Sequence, residues 1–300
     1  MRNEHKDRGI ENQHQPIRTF SMRPAESEHH IPVCCVVCGS EADKPYWDCG
    51  EYRFVRCRRC GHVYQNPQPS FEDLEARYAD EYFTYELEND ERFFDLMIKG
   101  LSDIEFEQRV AALAPRSFLD IGCATGMLPA HFARLGFSAE GVELCEPAAR
   151  YGRERRGVPI FIGTLEQAAF PDASFGVLHA SHLIEHLRDP AAFLRECRRI
   201  IAPGGYLVLV TPDTYGLQAR LFGARWRSAI ADHLHLFGRR NLSRLLNDCG
   251  FFVEEQRSWG GLAAGIAPDF LKRPIDRAAK RRNFGDVMLL LARPGSGSST

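Results

Sequence analysis

The stretch "FLDIGCATGMLPAHFARLGFSAEGVEL", Phe118 to Leu144, decides how this chain is read. An apolar run ends in Asp120-Ile121-Gly122, a short loop passes through Gly126, and a helical pattern follows. A strand, loop and helix in that order bring backbone N–H groups close to a ligand at the carboxyl edge of a sheet. About twenty residues beyond the loop, a second strand closes on Glu143, a carboxylate placed to accept hydrogen bonds from both hydroxyls of a ribose. A nicotinamide dinucleotide would suit the same spacing, but the G-x-G-x-x-G order that cradles a diphosphate is missing. Ala124 and Met127 stand where it needs glycine. The shorter loop suits a ligand with an amino-acid tail.

Outward from this stretch, short apolar runs alternate with helical ones. "EPAARYGRERRG", "PIFIG", "FGVLHAS", "DPAAFLRECRRII", "GYLVLVTP", "RNLSRLLNDCG", "FFVEEQRSW" and "DVMLLLAR" follow in turn. Strands alternating with helices predict a mostly parallel sheet covered on both faces, a doubly wound α/β domain over residues 115–294. Residues 70–114 carry apolar side chains three and four apart among charges, which predicts amphipathic helices forming a lid or linker. Residues 1–32 are polar and aperiodic and read as a disordered lead-in; residues 295–300 read as a flexible tail.

Between lead-in and helices lies a cysteine-rich unit, residues 33–69. Cys35-Val-Val-Cys38-Gly39 and Cys57-Arg-Arg-Cys60-Gly61 are two C-x2-C-G knuckles eighteen residues apart. That is the spacing of a four-cysteine zinc ribbon, in which each knuckle turns both thiolates onto one tetrahedral ion and the glycine relieves the turn. Cys34 could replace Cys35 in register but gives a poorer match to the second knuckle, and Cys49 reads as a bystander. Four thiolates close the coordination shell, so the Zn2+ is expected to be structural, holding a unit that docks a protein partner or covers the active site.

Length and composition bound the reading further. The chain has 300 residues, 44% of them hydrophobic, and a formal charge of -2, which allows a sizeable core and exerts no global pull toward nucleic acid or membrane. No apolar run approaches a membrane span and the first twenty residues lack the apolar core of a signal peptide, so the expectation is a cytoplasmic protein. Four of the ten cysteines stand in the two knuckles, which fits reduced thiols and a metal better than disulfides.

Asp120-x-Gly122-x-x-x-Gly126, Glu143 at the end of the second strand, "FPDASFGVLHAS" and "RIIAPGGYLVLVTPD" together resemble the class I S-adenosylmethionine-dependent methyltransferases, over about Arg109 to Pro294. The two knuckles, "CGHVYQNPQPS" and "RYADEYF" are similar to members that carry an N-terminal zinc ribbon. The resemblance implies a seven-stranded sheet and S-adenosyl-L-methionine as cofactor. It implies that Asp120, Gly122, Cys123 and Gly126 surround the methionine moiety, that Glu143 and Leu144 bind the ribose, and that Thr164, Leu165 and Glu166 flank the adenine. It puts His179 to Ser181 below the sulfonium. Thr164 departs from the aspartate many members carry, and Gly176 from the usual "SFD", so the adenine contacts rest on less than the ribose contact.

The segment "SHLIEHLRDP", Ser181 to Pro190, spells the H-x-x-E-H order of one class of zinc peptidases. A peptidase would need both histidines on one continuous helix, whereas here the segment begins at a strand end and Asp189-Pro190 supplies an N-cap and N1 proline for the next helix. Some quinol and catechol O-methyltransferases of the resembling family bind a divalent cation through E-x-x-E-H at this place. His182, Glu185 and His186 then form either a cation site or a hydrogen-bonded helix start. Methyl transfer to a hydroxyl needs a proton acceptor, and histidine titrates in the right range. The candidates are His182 and, in "ADHLHLFGRRNL", His233 and His235, with a hydrogen-bonded structural role as the other reading of each. Tyr78, Tyr82 and Phe83 can close over the cofactor or pack as core.

The expected acceptor is a small molecule, polar, saccharide-like or quinol-like. Zinc-ribbon methyltransferases also include ribosomal-RNA base modifiers, for which Arg225, Arg227, Arg239, Arg240 and the Lys272 to Arg282 run would grip phosphates. The near-neutral charge and the lack of aromatic residues in that run argue against nucleic acid. A degenerate fold that only docks protein is disfavoured by the intact glycine loop and Glu143.

Overall fold

The structure is a computed structural model and describes residues 30–70, 80–261 and 268–295. The cysteine-rich unit is built from strands β1 (His30–Ile31), β2 (Asp43–Asp48), β3 (Arg53–Cys57), β4 (Val63–Gln65) and β5 (Gln68–Pro69). β2, β3 and β4 form an antiparallel meander. β1 pairs with β5, so the end of the expected lead-in contributes a strand. The next described elements are helices α1 (Asp80–Asp103) and α2 (Phe106–Val110). Tyr78 lies outside the described residues.

The larger domain follows as β6 (Ser117–Ile121), α3 (Met127–Arg134), β7 (Ser138–Glu143), α4 (Glu146–Arg156), β8 (Ile160–Ile162), β9 (Phe175–Ser181), α5 (Pro190–Ile200) and β10 (Ile201–Pro212). It ends with α6 (Leu217–Phe222), β11 (His235–Leu236), α7 (Arg239–Asp248), β12 (Phe251–Trp259), α8 (Asp269–Arg281) and β13 (Val287–Pro294). Seven strands form one sheet in the order β12-β13-β10-β9-β6-β7-β8, with β13 antiparallel to both its neighbours and the pairs from β10 to β8 parallel. Among the described residues no helix is long and apolar enough to cross a membrane.

Period-two alternation builds two cores from one sheet. Leu119, Leu178, Leu207, Leu209 and Leu290 face α5 and α7, while Phe118, Val177, Val208 and Leu289 face α1, α2 and α3. On α5, Phe193, Leu194, Cys197 and Ile200 recur at helical spacing, and the Asp189 side chain caps the helix by accepting from Ala192 N at 2.8 Å. Chain order runs from β6 to β7 and β8 on one side, then returns to β9 and β10 on the other. The carboxyl ends of β6 and β9 therefore flank the topological switch point, where open α/β sheets bind ligands.

The cysteine-rich unit does not stand apart. β11, from far downstream, adds a fourth strand to its meander through His235 opposite Tyr64 and Leu236 opposite Val63. Cys35, Val37, Val55, Cys57 and Tyr64 belong to the same buried cluster as Leu242, Leu245 and Leu246 of α7. A shared core unfolds as one unit. Replacing the fully buried Tyr64 with alanine is expected to remove about 3–5 kcal/mol from the whole chain, in a single denaturant transition followed by circular dichroism and cysteine accessibility together.

Candidate functional site

The first constellation is the cysteine cluster. The sulfur atoms of Cys35, Cys38, Cys57 and Cys60 all lie within 4.8 Å of one another, with Cys35 to Cys60 and Cys38 to Cys57 at 3.5 Å. Four sulfurs at about 2.3 Å from one tetrahedral ion would be separated by about 3.8 Å, so the set fits a zinc site. Gly39 and Gly61 adopt left-handed φ of 68° and 76°, and their N–H groups close the knuckle turns onto the Cys35 and Cys57 carbonyls. Cys34 is exposed and Cys49 points to the Ala224 carbonyl; neither joins the set.

The second is the cradle at the switch point. Gly122 and Gly126 both have left-handed φ, 73° and 76°, and Ala124 between them is held at 46°. The Glu143 carboxylate, 4% exposed, supports the loop from below by accepting from Ala124 N and from Cys145 N, each at 2.8 Å. Burial pushes this carboxyl up and the backbone donors oppose it. Each oxygen keeps further acceptor capacity for a ligand hydroxyl. Asp120, expected beside the methionine moiety, lies beneath the loop at 3% exposure and meets His179 Nδ1 at 2.7 Å. Cys123 is buried, Leu144 and Ser181 are half-buried at the rim, and Leu165 is buried while Glu166 is exposed. Thr164 occupies itself locally: its hydroxyl accepts from Gln167 N at 3.3 Å while Gln167 Oε1 accepts from Thr164 N at 2.8 Å, a reciprocal cap on the turn.

Helix α1 closes onto this cradle. Asp90 pairs with the Thr125 hydroxyl at 2.6 Å and with the Arg156 guanidinium, which also donates to the Thr125 carbonyl. The Phe83 ring lies 6.0 Å from that of Tyr151 on α4. One turn before Asp90, burial and the negative charges of Glu143 and Asp90 push the Glu86 carboxyl up to about 8.

The third is the H-x-x-E-H segment. His182 follows the last residue of β9 at a left-handed φ of 51°, and is 49% exposed. Its Nδ1 lies 3.2 Å from Glu185 Oε1, while Glu185 Oε2 accepts from the Thr211 hydroxyl at 2.8 Å. Burial by itself raises the Glu185 carboxyl, and the hydrogen bond and charge of His182 more than offset it, holding the group well below the usual carboxylate range. The groups whose ligand atoms lie within 4.8 Å of one another are Glu185, His186 and His233, so His233 takes the place that the sequence spacing offered to His182. His235 does not join them. Its Nδ1 lies 3.3 Å from Nε2 of His62 in the cysteine-rich unit, and burial pushes it down to about 4. The arginines considered for phosphate are partly spent: Arg227 pairs with the buried Asp286 and Arg239 with the buried Asp213.

The model of a family described as "Methyltransferase domain" matches residues 91–256, more than half of the chain. The chain belongs to that family. A "Ubiquinone biosynthesis O-methyltransferase" of Cereibacter sphaeroides is 33% identical over 134 residues, 41% of this chain and 53% of the relative. A "Probable S-adenosylmethionine-dependent methyltransferase" of Mycolicibacterium smegmatis is 31% identical over 160 residues, 51% of this chain and 58% of the relative. The chain thus spans about half the length of the curated relatives it matches. A chain from the complex between the Haloferax volcanii Trm112 methyltransferase activator and a methyltransferase superposes with a TM-score of 0.51 at 16% identity, covering 74% of this chain and 98% of that one; this likeness concerns the fold.

Glu86 supplies a pH signature. An unfolded glutamate loses its proton near 4.5, whereas the folded one keeps it to about 8, so over that window the unfolded state binds fewer protons and stability falls as pH rises. The thermal midpoint is expected to drop between pH 6 and 9, and Glu86→Gln to flatten the drop.

Proposed function

We propose that the chain is an S-adenosylmethionine-dependent methyltransferase that methylates a hydroxyl of a small polar acceptor, saccharide-like or quinol-like. The observation that carries this reading is the pair His182 and Glu185 at the carboxyl end of β9, one strand away from the Gly122–Gly126 loop. The O-methyltransferase names of the partial relatives support the choice of oxygen.

S-adenosylmethionine, when bound, supplies an electrophilic methyl group on a good leaving group. Gly122 and Gly126 let backbone approach the ligand's tail, Glu143 accepts from the ribose hydroxyls, and α1 excludes water from above. What remains is proton removal from the acceptor oxygen as its bond to the methyl carbon forms. With Nδ1–H donated to Glu185, the neutral His182 ring presents a basic Nε2 from a half-exposed position, and the ionised Glu185 stabilises the imidazolium that results. The left-handed backbone at His182, anchored by its own N–H to the Val210 carbonyl at 2.8 Å, aims the ring.

A second reading rests on Glu185, His186 and His233. Two imidazoles and a carboxylate within 4.8 Å make a donor set suited to a divalent cation that would lower the acceptor hydroxyl's pKa. One assay separates the two. With S-adenosylmethionine and a panel of quinols, catechols and sugars, His182→Gln is expected to lose roughly 100-fold or more in turnover while S-adenosylhomocysteine still binds, and a chelator to leave wild-type turnover unchanged. Near-wild-type turnover in the variant would reject His182 as the base; loss on chelation that added Mg2+ or Mn2+ restores would favour the cation.

A further inference from the structure

Residues 226–234 form no helix or strand, yet Ser228, Ala229, Ala231, Asp232, His233 and Leu234 are all buried. Irregular backbone normally runs over the surface because buried carbonyls must find donors. Here each carbonyl from 228 to 234 finds one. Ser228 O accepts from His233 Nδ1 at 2.8 Å and Asp232 O from His186 Nδ1 at 2.9 Å. Ala229 O accepts from the Tyr52 hydroxyl at 2.7 Å, and Ile230 O from His233 N at 3.2 Å. The remaining three, Ala231, His233 and Leu234, are served by one residue. Gln65 spends both its amide N–H donors on Ala231 O at 2.8 Å and His233 O at 2.9 Å, and its backbone N–H on Leu234 O at 2.8 Å.

We infer that Gln65, on strand β4 of the cysteine-rich unit, is the positioning residue that fixes His233 against Glu185, which makes that unit a built part of the acceptor side of the site. A carbonyl only accepts, so the contacts to Ser228 and Asp232 put the proton of each neutral ring, His233 and His186, on Nδ1 and the lone pair on Nε2. His233 Nε2 then faces Glu185 Oε1 at 4.0 Å. The tautomer depends on where the loop carbonyls lie, and those are held by Gln65 and Tyr52 from across the cysteine-rich unit. Gln65 is 2% exposed and meets no reacting group. It acts through the loop, much as outer-shell partners orient metal-bound or catalytic histidines.

This inference rests on the reading that the Glu185 cluster serves the acceptor, but its test needs no acceptor. In full-length protein labelled with 15N-histidine, long-range proton–nitrogen spectra are expected to show His186 and His233 each as a single Nδ1-protonated tautomer. Gln65→Met, which keeps the shape and removes the side-chain donors, is expected to abolish the single tautomer at His233 while S-adenosylhomocysteine affinity stays within about twofold, the cofactor cradle being a separate site. Tyr52→Phe removes one donor from the same loop and reports the same effect if Gln65→Met does not fold. Val55→Ala loosens the unit's core without touching the loop and should leave the histidine signals unchanged. An unaltered His233 tautomer in the folded Gln65 and Tyr52 variants would overturn the inference, as would an equal loss in Val55→Ala. Failure of the His182 assay alone would leave these spectra as predicted and so would be told apart.

Discussion

Buried irregular backbone imposes a strict condition: every carbonyl needs a donor, and the donors have to come from somewhere. Between Ser228 and Leu234 they come from two sources, the site's own histidines and the cysteine-rich unit. This one condition ties together parts of the chain that sequence keeps far apart. It accompanies the pairing of β11 with the β2-β3-β4 meander and the core that the knuckles share with α7, and it leaves His233 with Nε2 toward Glu185. A rigid four-cysteine unit suits such a task, since a cradle for carbonyls is useful only if it does not yield.

The cofactor side meets its electrostatic demands differently. Glu143 is surrounded by backbone N–H groups, Asp90 by Arg156 and the Thr125 hydroxyl, and Glu86 by two like charges. Each carboxyl is thus accommodated by a different means: backbone donors for Glu143, a guanidinium and a hydroxyl for Asp90, and retention of the proton to about 8 for Glu86. The two half-sites meet at the switch point of the sheet, where the ends of β6 and β9 each carry a non-glycine residue in left-handed backbone, Ala124 and His182. Strain of this kind persists only where surrounding bonds over-determine it.

Local pattern carried much of this into the sequence. Alternation of strands and helices, the glycine loop, Glu143 and the Asp189-Pro190 helix start are short-range features, and each stands in the fold where the spacing predicts. The knuckle spacing brings four sulfurs together because each turn is local and only one long-range pairing is needed. What was not legible depends on pairings across the chain. The pairing of Asp120 with His179, on the neighbouring strand, is invisible in the local motif. The alternating "HLHLF" segment suggests that His233 and His235 share a fate, whereas one faces Glu185 and the other His62. Gln65 carries no local signal: its side-chain partners lie 165 to 168 residues away. Thr164, where the resembling family often has aspartate, caps its own turn, a role visible only with Gln167 beside it.

The proposed function stands on an adenosyl-cofactor site formed by the loop after β6 and the carboxylate ending β7. Calorimetric titration of the purified protein with S-adenosylhomocysteine, beside a Glu143→Ala variant and with NADH as competitor, tests it most directly. One site per chain is expected, with an affinity loss of roughly 100-fold or more in the variant as the ribose contacts and the loop support disappear together, and no displacement by NADH. Absence of binding, equal affinity in the variant, or preference for NADH would contradict it.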